Sequence, residues 1–240
     1  MLKKTLTEER IESVLDEYYE FIKNNKNARY KSWEHCYSVF AKNQNKTDDE
    51  TVDLLCLNLS FYLASWGMYR SSFLLQKDYK IHKDAVLEMQ KEEYNILRSF
   101  DIGTIESEEF ITALLKLQMI LNPIYEKIKK TVKVDVKEEI TDTLFTKILL
   151  GVFGCIPAYD SFLKRVLKDY KIGKARFNNP LQIKDFVVFY RKYQNIFEKA
   201  QKKIASIGIE YSPMRLVDLV FWRIGLEDEG KNKHEDCEDI

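Results

Sequence analysis

The scarcity of helix-breaking residues is the strongest constraint that this sequence places on its fold. Four prolines and eight glycines occur in 240 residues, and these two residue types interrupt helices most strongly. Apolar residues recur at helical spacing through most of the chain. The sequence therefore predicts an all-α fold, with about eight or nine helices in one bundled domain over residues 1–225. Residues 226–240 are almost without apolar side chains and are predicted to form a disordered acidic tail.

The overall composition narrows the classes of function. Lysine plus arginine equals aspartate plus glutamate at 38 each, so net charge gives no support to nucleic acid or anionic lipid as a partner. The four cysteines are far apart, which favours reduced thiols over a disulfide frame or a zinc site. No signal-peptide core and no membrane-length apolar run occur, so we expect a cytoplasmic protein that is not membrane-bound. The three histidines lack metal-site spacing, and no cofactor fingerprint occurs, so no metal and no cofactor are predicted.

One stretch, from Asp48 to about Tyr69, is apolar nearly all round and is predicted to be the buried central helix of the bundle. Polar groups gather at its end. Trp66 and Arg70 are four residues apart and share a helix face. An indole can stack on a planar ring and a guanidinium can bind phosphate, so both are candidate ligand-binding residues. The alternative is that Arg70 is a structural arginine paired with Asp142 or Asp218, while Trp66 fills core.

A second stretch, residues 141–168, combines apolar sequence with polar chemistry. It predicts a short helix, a break at GVFGCIP and a second helix that begins close to Asp160. Ionised groups are costly to bury unless they are paired. The candidate residues within it are Asp142, Thr146, Lys147 and Asp160.

The GVFG turn followed by PAYDSFLKRV resembles the helix-hairpin-helix element of DNA glycosylases. The resemblance implies that turn amides hold a phosphate, that Asp160 is a catalytic carboxylate and that Lys147 is an amine nucleophile. The turn departs from the usual glycine-any-glycine pattern. The alternative is a plain αα-hairpin in which Asp160 caps a helix or pairs locally and the Lys147 amine reaches water.

A third constellation lies in the segment MRLVDLVFWRIG. Arg215, Asp218 and Trp222 follow one stripe of a predicted helix that begins at Pro213 and is closed by Gly225 as its C-terminal cap. Asp218 is a candidate ligand-binding residue. The alternative is that Arg215 and Asp218 form a simple pair within the helix.

The chain as a whole resembles a group of bacterial single-domain helical proteins, through the segments FYLASWGMYR, TDTLFTKILLG, PAYD and FWRIG. This resemblance implies a free-standing helical domain and no particular activity.

From the residues we derive a hypothesis of one shared pocket. It would lie at the ends of the 48–69, 141–168 and 213–225 helices and contain the following residues: Trp66, Arg70, Asp142, Lys147, Asp160 and Asp218. The leading function is binding of an unknown ligand, because no complete catalytic pattern is present. The alternatives are an enzyme acting on nucleic acid, with a glycosylase-like element, and a structural homo-oligomer; the sequence does not set the oligomeric state.

Overall fold

The computed structural model describes residues 5–70, 72–132 and 141–238, with side chains as far as Asp228. These residues form α-helices joined by short 3-10 turns and contain no strand, which confirms the all-α prediction. The alternating segment TVKVDVKEE lies mostly outside the described residues. The helices are α1 (Glu8–Asn24), α2 (Lys31–Lys42), α3 (Asp49–Ser65), α4 (Lys83–Met89), α5 (Ile102–Ile105), α6 (Glu108–Lys129), α7 (Asp142–Val152), α8 (Ser161–Tyr170), α9 (Ile183–Lys192), α10 (Gln194–Ala205) and α11 (Pro213–Glu238).

Most of the longer helices begin at a side chain that accepts a hydrogen bond from a free backbone amide of the first turn. Ser107 caps α6, and Thr141 caps α7. The sequence predicts Thr5 as the cap of the first helix and Thr47 as the cap of the third, but Thr7 caps α1 and Asp48 caps α3. Such one- and two-residue errors arise because several residues that can cap a helix lie next to each start.

The described residues contain eleven α-helices, more than the eight or nine expected. A single helix is predicted from Pro180 to about Ile207, but the chain breaks at Tyr193, where φ is −121°, and forms α9 and α10. The turn DIGTIES contains the short α5. Pro123, in contrast, lies inside α6 without splitting it.

Helix α7 is buried all round, as are residues 213–222 of α11, whereas α3 is not, which corrects the prediction of a central apolar helix at 48–69. Every residue from 144 to 152 is buried, and α7 packs against α2, α3 and α6. One face of α3 instead meets solvent. Leu54, Leu57 and Phe61 follow each other at helical spacing and are 44%, 49% and 57% exposed. The apolar composition of α3 therefore correctly indicated that it contributes to the core, but not that one of its faces is exposed to solvent.

The last helix, α11, passes through Gly225 and continues to Glu238, so the predicted cap at Gly225 was wrong. The helix thereby enters the segment for which composition predicts disorder. Gly225 does not have a positive φ. A Cβ at this position would stand 2.5 Å from the carbonyl oxygen of Phe162. This glycine therefore serves the close approach of α8 to α11 rather than a helix end.

None of the described helices is both long and apolar enough to cross a membrane.

We expect the two faces of α3 to respond differently to truncation. Leu59 is fully buried, so Leu59→Ala should lower the free energy of unfolding by about 2–5 kcal/mol through lost contacts and a cavity. Leu57→Ala removes the same atoms from a side chain that is 49% exposed and should cost less than about 1 kcal/mol. Urea denaturation of both variants measures the difference. Equal losses would show that α3 is enclosed on both faces.

Candidate functional site

The connection between α7 and α8 is buried although it is not helical. All residues from 153 to 159 are buried, so their backbone groups need partners inside the protein. Side chains supply several of them. The amide of Ala158 donates to Oδ1 of Asp218 at 2.8 Å, and the amide of Tyr159 donates to the hydroxyl of Thr146 at 2.8 Å. The turn that the glycosylase resemblance requires at the surface is therefore inside the protein.

Asp160 ends this buried connection and begins α8. Its Oδ1 accepts hydrogen bonds from the amides of Phe162 and Leu163, both at 3.1 Å. Its Oδ2 accepts from the ammonium of Lys147 at 3.0 Å. The carboxylate thus caps the helix with one oxygen and binds a lysine with the other. The predicted start of the second helix close to Asp160 is confirmed.

Lys147 is almost completely buried on α7, with 5% of its side chain exposed. Its ammonium lies 3.0 Å from Asp160 and 5.0 Å from the centre of the Trp66 ring. An ion pair and the negative face of an indole together offset part of the cost of burying a charge. The ammonium is held in a local pair with Asp160, and only 5% of the Lys147 side chain is exposed, at the cavity described next.

A cavity of about 480 Å³ opens beside this pair, between the C-terminal end of α3, the first half of α7, the start of α8 and the first half of α11. The volume is in the range of small-molecule sites. Four of the six residues in the pocket hypothesis line it, namely Trp66, Arg70, Lys147 and Asp160. Two further lining residues, Arg29 and Trp222, were not among the predicted site residues.

The other two predicted residues, Asp142 and Asp218, serve structure instead of lining the cavity. Oδ2 of Asp142 accepts from the amide of Phe177 at 3.1 Å and so fixes a distant loop. Asp218 is buried, pairs with Arg215 at 2.5 Å and holds the amide of Ala158. Burial raises the pKa of Asp218, against the opposing positive charges of Arg215 and Lys147. The pairing of Arg215 with Asp218 within α11 is thus the alternative that the sequence offered. Because Asp218 is buried, its other oxygen also needs a partner, and the amide of Ala158 in the α7–α8 connection provides it.

Trp66 and Arg29 form the wall of the cavity near solvent. The Arg29 guanidinium lies 5.4 Å from the Trp66 ring centre and 5.5 Å from that of Tyr30. Trp66 packs edge-on against Trp222 with ring centres 5.5 Å apart. Arg70 is exposed, so it is not the buried partner of Asp142 or Asp218 that one alternative required. Sequence reasoning missed Arg29 because it lies in a loop, where no periodicity indicates which way a side chain points.

The polar segment after Trp66 divides into two groups. Trp66 and Arg70 line the cavity, whereas Tyr69 and His82 point into the interior. Nε2 of His82 lies 3.2 Å from the hydroxyl of Tyr69, and Nδ1 lies 2.8 Å from that of Tyr125. Tyr69 also shares a short hydrogen bond with Ser60. His82 is fully buried, and burial lowers its pKa from 6.5 to about 3.

The chain matches no protein-family model, no curated protein and no solved structure. The cavity and its side chains are therefore the basis for a functional proposal.

We expect Lys147 and Asp160 to be energetically coupled. Asp160→Asn keeps the helix cap but leaves a buried ammonium without its carboxylate, and should cost about 2–4 kcal/mol. Lys147→Met leaves a carboxylate that is 16% exposed and still bonded to two amides, and should cost about 1 kcal/mol. The double variant should lose at least about 1 kcal/mol less than the sum.

Chemical denaturation of the four proteins gives this coupling energy. Lys83→Met is the matched control, because Lys83 pairs with Asp49 at 3.1 Å on the surface and should change stability by less than about 0.5 kcal/mol. Additive losses at Lys147 and Asp160 would mean that their contact does not contribute to stability.

His82 should make the protein less stable in mild acid. The unfolded chain takes up a proton at this ring below about pH 6.5, whereas the folded chain does so only near pH 3. The contribution is therefore fully present above pH 6.5 and is lost as pH falls, by about 2 kcal/mol between pH 7.5 and 5. We expect His82→Gln to be less stable at pH 7.5 and to lose less stability on acidification. Denaturation curves at both pH values measure this, and parallel losses in the two proteins would contradict the assignment.

Proposed function

We propose that this protein binds a small molecule in the cavity beside Lys147. One observation carries the proposal. An almost fully buried lysine, held by Asp160 and the Trp66 ring, faces an open cavity of about 480 Å³ instead of being sealed in the core. A buried ion pair is weak evidence for a stabilising role, since apolar residues of the same volume often stabilise a core as well. Burial of the Lys147 ammonium is costly, and its position at a cavity therefore favours a role in ligand binding.

The proposed site lies in one helical domain, and we place the protein in the cytoplasm. Buried Cys36, Cys56 and Cys155 are free thiols, as suits a reducing compartment.

The first test is a screen of small anionic, neutral and cationic compounds by ligand-observed NMR, with thermal shift as a second readout. We expect at least one compound to bind the wild type and not Ala64→Trp. Ala64 is exposed and lines the cavity, so a large ring there should block the site without disturbing the core. Ala41→Trp is the matched control, because Ala41 is an exposed alanine near the end of another helix, α2.

Compounds that bind Ala64→Trp and Ala41→Trp as tightly as the wild type would place binding elsewhere on the protein. Absence of binding by every compound would refute a small-molecule site.

Action on nucleic acid is the second candidate, favoured by the 3.0 Å contact between Lys147 and Asp160 beside the cavity. It requires salt-sensitive binding of DNA or RNA that weakens in Lys147→Ala. The buried α7–α8 turn argues against it, since residues 153–159 all lie in the interior, where a backbone phosphate cannot reach their amides. Binding of short single- and double-stranded oligonucleotides at about 50 and 200 mM salt distinguishes the two candidates.

A homo-oligomer is the third candidate, favoured by the exposed face of α3. The face consists of Leu54, Leu57 and Phe61, each about half exposed. Three such side chains supply far less than the roughly 800 Å² that each partner of a stable interface buries. The cavity is therefore the stronger basis for a function.

A further inference from the structure

The side chains that line the cavity carry a surplus of positive charge. Arg29, Arg70 and Lys147 are cationic, whereas Asp160 is the one carboxylate among the lining residues. Neither arginine forms an ion pair with another described residue. Three positive charges against one negative charge leave a surplus of two in a chain whose charges balance overall. A concave site with one sign of charge concentrates the field and favours a ligand of the opposite sign.

The site is also rich in hydrogen-bond donors. Guanidinium and ammonium groups donate only, and Asp160, the main acceptor, is already bonded to Lys147 and to two amides. The indole Nε1 of Trp66 is buried and has no acceptor among the described residues. An unbonded buried donor costs free energy, so a ligand that brings acceptors would be stabilised here. Oxyanions such as phosphate and carboxylate provide several acceptors at once.

Aromatic surface lies next to these donors. Trp66 is approached by two cations, the Arg29 guanidinium at 5.4 Å and the Lys147 ammonium at 5.0 Å, and Trp222 and Phe162 also line the cavity. A planar ring can stack on an indole or a guanidinium. The cations on Trp66 repel each other, and an anion close to both would offset that repulsion.

We propose that the cavity binds a small ligand in which a phosphate or carboxylate group is attached to a planar ring. This inference rests on the proposed function and specifies its ligand class. Arg29 and Arg70 bind the oxyanion near solvent, and the Trp66 region receives the ring. Lys147 contributes positive potential from the floor of the cavity while it stays paired with Asp160.

Calorimetric titration with adenosine 5′-monophosphate, adenosine, benzoate and benzylamine tests the proposal, because the four probes combine a planar ring with a negative, neutral or positive charge. We expect the monophosphate to bind at least about tenfold more tightly than adenosine. Benzoate should bind more tightly than benzylamine, which carries a charge of the wrong sign. Raising the salt concentration from about 20 to 200 mM should weaken binding of both anions.

Variants test the assignment of the oxyanion to the arginines. Arg29→Gln and Arg70→Gln should each weaken the monophosphate about tenfold and leave adenosine within about twofold. Arg191→Gln is the matched control, since Arg191 pairs with Glu106 on another surface and should have no effect. Thermal unfolding of each variant verifies that it is folded.

The outcomes separate this inference from the proposed function. If adenosine or benzylamine binds as tightly as the anions and Ala64→Trp blocks it, the cavity binds small molecules but the anionic class is wrong. If the anions bind equally well in Arg29→Gln and Arg70→Gln, the placement of the oxyanion is wrong. If an oligonucleotide binds and the monophosphate does not, the ligand is a nucleic acid. If nothing binds here or in the compound screen, both proposals fall.

Discussion

The buried connection between α7 and α8 is the constraint on which the rest of the site depends. Seven consecutive residues outside any helix, 153–159, lie in the interior, where backbone groups are shielded from bulk water and need partners within the fold. Partners come from α7 and from the beginning of α11. Thr143 donates to the carbonyl of Tyr159 at 2.7 Å, Ser212 donates to that of Gly154 at 2.5 Å, and Asp218 accepts the amide of Ala158. These bonds fix the course of the chain up to Asp160, and so fix the edge of the cavity.

Much of this arrangement could be predicted, because a polar residue within an apolar sequence is buried at a cost and therefore needs a bonding partner. Thr146, Lys147 and Asp160 stand out by that criterion, and each has a specific partner in the structure. The sequence did not show which of these polar residues bond to buried backbone and which lie at the cavity. Thr146 and Asp218 satisfy buried backbone, whereas Lys147 and Asp160 lie at the cavity. Both kinds look the same in a sequence, since the cost of burying a polar group is offset by any partner.

The errors arose where tertiary packing decides the outcome. The apolar residues of α3 indicate burial on every side, yet among the described residues Leu57 and Phe61 remain about half exposed. Gly225 looks like a helix cap because glycine is common there, and only the nearby backbone of Phe162 reveals why a side chain is excluded. Arg29 lies in a loop, where the direction of a side chain depends on packing against Trp66. Helical periodicity shows which residues share a face of one helix. It does not show which other element packs against that face.

The distribution of charge in the cavity follows from the cost of burial. Lys147, at the floor, is buried and therefore paired with Asp160. Arg70 and Arg29 form no ion pair with another described residue. They can stay so because both are exposed and water still reaches them. A ligand that covered both arginines would remove that water, and its own negative charge would have to replace it. In the free protein, water thus stabilises the surplus positive charge at the rim of the cavity. When the cavity is filled, a neutral ligand would remove that water from the arginines without replacing its interactions. The surplus charge therefore makes the cavity selective for anions.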